Sequence, residues 1–252
     1  MLSDDKFMQR GIELAFLGQG KAAPNPMVGA VIVYQGKIIG EGYHEQVGEA
    51  HAEVNAVNSV KDKSILSEST IYVTLEPCSH YGKTPPCADL IVKHKFKRAV
   101  IGCQDTFSEV QGKGIDRLRE AGVNVEVGCL ENECRELNKH FFTFHEQKRP
   151  FVFLKWAQTT NGKLDKGISD QTITWISSPE SKTLVHKWRN AHQAILVGRK
   201  TIENDNPSLT VRSISGTNPM RIVLDTELKL PLTHSVFNKE SVFFSNLIVA
   251  LI

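Results

Sequence analysis

Cysteine is scarce in this sequence, charge of either sign barely prevails, and no long apolar run occurs. Five cysteines in 252 residues are odd in number and do not form a disulfide framework. The 30 basic and 28 acidic side chains leave a formal net charge of +2, so nothing argues for a nucleic-acid partner held by bulk electrostatics. No window approaches the roughly 20 apolar residues that a membrane-spanning helix needs, so no membrane partner is expected. The opening stretch MLSDDKFMQR lacks the basic patch and apolar run of a signal peptide, which makes the cytoplasm the expected compartment. Internal repeats and low-complexity stretches are absent too. What remains, 40% hydrophobic and 23% charged, suits a soluble globular chain of one large domain or two small ones.

Periodicity divides the chain into two alternating series. Ser3 is a good N-cap, and Met8, Ile12 and Ala15 recur at helical spacing, which predicts an amphipathic helix over 4–17. VGAVIV (28–33) and KIIGEGY (37–43) read as two strands of a hairpin, and His51 to Val60 as a helix. Strands at 70–75, 98–103 and 123–127 then alternate with helices at 88–96, 113–122 and 131–142, the pattern of an α/β layered domain. The polar HEQKRP (145–150) ends in proline and reads as a linker. Beyond it, PFVFLKWA (150–157) is expected as a strand and SPESKTLVHKWRNA (178–191) as a helix. AILVG (194–198) and RIVLD (221–225) are expected as buried parallel strands, with SVFFS (241–245) as a further candidate. The chain closes on LIVALI without another helix to cover it. The expected division is a domain over 1–146 and an incomplete one over 147–252.

The residues that carry chemistry fall in the first series. HAE (51–53) opens a helix, while PCSHYGKTPPC (77–87) begins just after a strand and ends where the next helix starts. In a reducing compartment, a spaced cysteine pair near a histidine more often means metal than a disulfide. His51, Cys78 and Cys87 supply one imidazole and two thiolates, a zinc set that leaves the fourth tetrahedral position open for water. An open position marks a catalytic zinc, since a structural one normally has four protein ligands. Cys87 stands at a helix start, where the dipole and free amides favour thiolate. Glu53 lies two residues beyond His51, off its helix face, which suits a carboxylate approaching zinc-activated water better than a fourth ligand. Taken singly, an HxE triplet or a Pro-Cys pair arises by chance; their combination at strand and helix ends is the stronger signal. Cys103, Cys129 and Cys134 lack partners at ligand spacing and read as buried thiols that pack as small hydrophobes.

H-x-E followed by P-C is a zinc-deaminase signature with one departure, because eight residues rather than two separate the cysteines. C-x-x-C belongs to the cytidine, adenosine and guanine branches. The longer loop, with APNPMVGAVIV (23–33), GYH (42–44), HAE and TLEPC (74–78), resembles the deaminase domain of the bifunctional riboflavin-biosynthesis deaminase/reductase family. The resemblance implies a cytidine-deaminase-like three-layer α/β/α domain. Its implied substrate is a diamino-hydroxy-pyrimidine bearing a phosphoribosylamino group, whose ring amine is removed hydrolytically. Glu53 would move a proton from the attacking water to a ring nitrogen and then to departing ammonia. Asn25, His44, His80 and Lys83 are the implied substrate contacts. Asn25 has both donor and acceptor for ring polar groups, and His80 and Lys83 would place positive charge beside a phosphorylated sugar. Read alone, Asn25 between two prolines is a good turn residue, and Lys83 is solvated surface.

The second series resembles the family's reductase, a dihydrofolate-reductase-like α/β domain that uses NADPH to convert a ribosyl side chain to ribityl. ITWISSP (173–179), HKWRN (186–190), AILVGRKTIENDNPSLTVR (194–212) and RIVLDT (221–226) carry the match. The implied NADP contacts are Thr159, Trp175, Thr201, Asp205 and Thr226; the implied substrate contacts are Arg189, Leu209 and Arg212. Arginine suits a phosphate because its planar fork donates two hydrogen bonds at once. Ile173 stands where the family commonly has serine, with Thr172 or Thr174 as substitutes. The family's reductase also runs on past the last residue here, with a glycine-rich cofactor segment and later strands. The expectation is therefore an incomplete second domain with an exposed edge and little or no NADPH oxidation, which leaves homo-oligomer formation open. Two other readings stand beside this one. A deaminase of free or nucleic-acid bases needs stacking aromatics and a basic groove, where the 77–87 loop offers only Tyr81 and Lys83. A binding or scaffold module would hold its metal structurally.

Overall fold

The computed structural model describes residues 3–81, 85–107, 110–164, 175–238 and 247–250. The chain divides into two units, Met1–Val152 and Phe153–Ile252. In the first, the elements run α1 (Asp4–Phe16), β1 (Gly29–Tyr34), β2 (Lys37–Tyr43), α2 (Ala52–Ser59), β3 (Thr70–Leu75) and α3 (Cys87–Lys93). They continue with β4 (Arg98–Cys103), α4 (Lys113–Glu120), β5 (Asn124–Val127), α5 (Glu131–Leu137) and α6 (Lys139–Gln147). The sheet order is β2-β1-β3-β4-β5, with β1 antiparallel to both neighbours and β3, β4 and β5 parallel.

The two-residue period of the strands sorts their side chains into two cores. Ala30 and Ile32 of β1, Ile71 and Val73 of β3, and Ala99 and Ile101 of β4 meet Ala56, Ile91 and Leu118 of α2, α3 and α4. The alternate residues Val31, Val33, Tyr72 and Val100, joined by Leu75 and Cys103 at the strand ends where the alternation breaks, meet Met8 and Ile12 of α1 with Cys134 of α5. Burial on both faces explains why these strands read as continuous apolar runs. A sheet covered by helices on both sides is the expected three-layer α/β/α architecture.

Close backbone approach holds α1 against β1. A Cβ at Gly29 would stand 1.9 Å from the Gly11 carbonyl oxygen. Gly29→Ala is expected to push α1 off the sheet and cost about 1–3 kcal/mol. Urea unfolding should show a lower midpoint at an unchanged slope.

Three expectations for this unit change. Ser3 occupies the cap position of α1, but its side chain makes no capping bond. The helix expected over 131–142 breaks at Asn138, whose φ of −115° leaves the helical region. Its side-chain amide instead donates to Met27 O and accepts from Met27 N, each at 2.8 Å, competing with the helical backbone as asparagine commonly does. The expected linker is helical as far as Gln147.

The second unit contains α7 (Pro179–Ala191), β6 (Ala194–Gly198), α8 (Arg199–Asp205), β7 (Met220–Leu224) and β8 (Leu247–Ala250). The three strands are parallel in the order β6-β7-β8. Ser178 caps α7 by accepting from Ser181 N at 3.3 Å, with Pro179 in the first turn. Ile202, Leu209, Val223, Leu230 and Val236 form the core. The stretch 150–157 is not a strand: Leu154 is 74% exposed, and Phe153 lies against Trp188 of α7 with ring centroids 5.1 Å apart. Nor is β6 a buried strand. It lies at the sheet edge, and Leu196 is 56% exposed. SVFFS falls outside the described residues, as do Ile173, Thr172 and Thr174. Among the described residues, no helix is long and apolar enough to cross a membrane.

Candidate metal centre and active site

Three chain segments meet where β3 ends and where α2 and α3 begin. His51 is the N-cap residue of α2, and its side chain makes no capping bond, so the ring is available to other partners. Its Nδ1 lies 3.5 Å from Cys78 Sγ and 3.4 Å from Cys87 Sγ. The three donor atoms all lie within 4.8 Å of one another. Cys78 also caps the start of α3, whose own cap residue Pro86 offers no side-chain acceptor. Cys87 N donates to Cys78 Sγ at 3.3 Å and Ala88 N to Cys78 O at 3.1 Å. Orphan amides of a helix start thereby fix one sulfur and favour its anion.

The electrostatics follow from this packing. A hydrogen bond from the Cys87 thiol holds the Cys78 pKa at about 4 against the opposing effect of burial, helped by His51 and the Cys87 amide. Cys87 is pushed the other way by the same bond and by burial, so the pair carries one proton between them. His51 is raised by its hydrogen bond to Cys78. Glu53, buried at 3% exposure, is raised to about 7, chiefly by burial and next by the Cys78 thiolate, with His51 opposing. One imidazole nitrogen and two sulfurs, already gathered and one already ionised, fit zinc in donor type and number. By contrast, burial raises Cys103 and Cys129 to about 12 and lifts Cys134 as well. Cys103 and Cys134 are buried, while Cys129 is only half-buried.

A cavity of about 370 Å³ opens beside His51, Glu53 and Cys78. Cys87 is buried and does not line it. Asn25, His44 and His80 line the cavity, whereas Lys83 lies outside the described residues. Asn25 Nδ2 donates to His44 Nε2 at 3.1 Å, which sets the ring to donate from Nδ1 to Ala50 O at 3.1 Å. Burial lowers the His44 pKa, consistent with that neutral ring. The lining also includes Glu76, Asp105, Phe107, Val110, Phe141 and His145, none of which the sequence singled out. Asp105 had a usable signal, since it follows the carboxyl end of a parallel strand, where α/β sites form. Phe141 and His145 come from α6, which had none.

In the second unit, Thr201 and Asp205 lie on α8, which starts directly after β6, and Thr226 follows β7. Thr201, in the first turn of α8, and Thr226 therefore stand by the carboxyl edge of the parallel strands, while Asp205 is the last residue of that helix. Thr159 and Trp175 lie on exposed segments outside the helices and strands. Arg189 Nη1 donates to Thr210 O at 2.9 Å, while its buried Nε has no hydrogen-bond partner among the described residues. Its pKa is lowered by burial and by neighbouring Arg212. Leu209 is buried in the core of this unit with a φ of 55°.

Residues 1–103 match the family model described as the cytidine and deoxycytidylate deaminase zinc-binding region, and residues 150–247 the RibD C-terminal domain. The riboflavin biosynthesis protein RibD of Aquifex aeolicus is 46% identical over 242 residues, covering 94% of this chain and 66% of that protein. The RibD protein of Bacillus amyloliquefaciens is 46% identical over 234 residues, covering 92% of this chain and 62% of that one. This chain therefore spans less than two thirds of the length of these relatives. Among solved structures, the deaminase/reductase of Thermotoga maritima superposes with a TM-score of 0.87 at 40% identity, covering 98% of this chain and 74% of its own. For Acinetobacter baumannii RibD the TM-score is 0.89 at 35% identity, with 99% and 74% covered.

Proposed function

The chain belongs to the RibD family of riboflavin-biosynthesis deaminase/reductases, and on that premise we propose that its first unit is a zinc-dependent hydrolytic deaminase. The substrate proposed is the family's diaminopyrimidine carrying a phosphoribosylamino group. The observation that carries this reading is the gathering of His51, Cys78 and Cys87 within 4.8 Å at a cavity that Glu53 also lines.

His51 Nδ1 and the two sulfurs would hold the ion. Zinc held there would supply Lewis acidity, making a water at the site easier to deprotonate. Glu53 then acts as proton carrier. Burial holds its carboxyl above the ordinary carboxylate range, so it can take the two protons of the attacking water in turn, passing the first to a ring nitrogen and the second to departing ammonia. Asn25 spends one amide hydrogen on His44 and keeps Oδ1 and the other hydrogen for ring polar atoms. His80 and Lys83 would face the phosphorylated sugar.

The second unit is proposed to take NADPH at the carboxyl edge of β6 and β7, through Thr201, Asp205 and Thr226, with Thr159 and Trp175 completing the cofactor site. Arg189, Leu209 and Arg212 would hold the reductase substrate. The orphan Arg189 Nε beside a second guanidinium supports an anionic group there.

Metal analysis paired with ammonia release tests the deaminase reading. Purified chain is expected to carry one zinc and to release ammonia from the diaminopyrimidine. A zinc-loaded chain that leaves this substrate untouched but deaminates cytidine or an oligonucleotide would overturn the substrate assignment.

A further inference from the structure

Glu76 stands two residues before Cys78 and is 4% exposed. Its carboxylate accepts four backbone N–H groups from another part of the chain. Oε2 takes Asp105 N at 3.2 Å and Gly112 N at 3.0 Å, and Oε1 takes Gly114 N at 3.0 Å and Ile115 N at 3.3 Å. Gly112 is the cap position of α4 and has no side chain to offer. Two orphan amides of α4, those of Gly114 and Ile115, are thus capped from β3's end rather than by their own helix. A second contact locks the same junction, because a Cβ at Gly114 would stand 2.1 Å from Pro77 O. Asp105, Phe107 and Val110, in the chain that Glu76 gathers, form the cavity wall on this side.

We infer that Glu76 is a positioning residue of the deaminase site: through its four amide bonds it sets the Asp105–Phe107–Val110 wall against the strand that delivers Cys78. This inference rests on the deaminase reading for its kinetic consequence, though not for its structural one. The carboxylate spans two separate stretches, so losing two of its four bonds frees the wall while β1 and α1 stay packed. Metal donors are not among its partners. The expected signature is a loss of substrate affinity with the metal retained.

The test is Glu76→Gln in the zinc-loaded full chain. The side-chain amide keeps one acceptor oxygen but turns N–H groups toward two backbone donors. Hydrogen exchange in peptides covering 105–115 is expected to rise at least tenfold, with exchange in 29–34 unchanged. KM for the diaminopyrimidine should rise at least tenfold while kcat moves less than threefold and zinc stays at one per chain. Gly114→Ala, which opens the same junction from the α4 side, should give the same pattern and serves if the first variant does not fold. Unchanged exchange at 105–115 would overturn the inference, and so would raised exchange with an unmoved KM, which leaves Glu76 a mere fold stabiliser. Failure of the wild-type chain to release ammonia would instead sink the deaminase reading. The exchange arm would then still decide whether Glu76 holds the wall.

Discussion

Glu53→Gln should lower kcat for ammonia release by a factor of about 10²–10⁴, the usual contribution of a positioned acid-base group, while zinc stays at one ion per chain. Glutamine keeps the shape of the side chain and loses only its ability to carry a proton. The proposed ligand atoms are those of His51, Cys78 and Cys87, so nothing in the substitution removes a donor. Stability should move the other way. In the metal-free chain, burial raises Glu53 from 4.5 to about 7, so the folded state binds more protons than the unfolded state between those values. The contribution of this group to stability is therefore present below about pH 4.5 and lost as pH rises through 7, a swing of about 3 kcal/mol at 1.36 kcal/mol per unit. Glutamine has no such term. Metal-free variant and wild type should differ little at pH 5, and the variant should unfold at higher denaturant by pH 8. Loss of zinc together with activity, or full activity in the variant, would remove Glu53 from its role.

The architecture of the first unit was legible because its strands bury both faces. Ile71 and Val73 serve one core while Tyr72 and Leu75 serve the other, so the run 70–75 had to be largely apolar, with buried Thr74 satisfied by accepting from Gly29 N. The gathering of His51, Cys78 and Cys87 was equally legible, since donor type and placement at helix starts are local properties. The cavity wall was not. Glu76 meets amides 29 to 39 residues away, and a hydrogen bond to a backbone N–H leaves no residue type to read at the partner position. Asn138 likewise looks like an ordinary helix residue until Met27, 111 positions earlier, claims its side chain. The run 150–157 shows the converse error. Apolar composition argued for a strand, but a strand needs a neighbour, and hydropathy carries no information about pairing. Phe153 instead meets Trp188 on α7.

Cys87→Ser is expected to abolish zinc retention and reduce ammonia release to background. It is a cleaner probe than Cys78→Ser, because the Cys78 sulfur also caps α3 through the Cys87 amide. Added zinc should no longer raise the melting temperature of the variant, whereas in wild type an ion at about 1,000 times its Kd stabilises by about 4 kcal/mol. The same site dictates how affinity varies with pH. Without metal, Cys78 is already a thiolate at neutral pH, with a pKa of about 4, while Cys87 keeps its proton and His51 holds one more readily than usual. Both sulfurs must be ionised and the imidazole neutral to bind the ion. Loading zinc at pH 7 therefore expels the Cys87 proton and part of another from His51. Each released proton makes affinity rise about tenfold per pH unit, and the dependence steepens toward pH 4 as Cys78 protonates in turn. Chelator competition between pH 6 and 8 should give a slope between about one and two in log affinity per unit. A flat profile would mean that both sulfurs are ionised before the metal arrives, contrary to the shared proton. Tight zinc in Cys87→Ser would mean that the ion sits elsewhere.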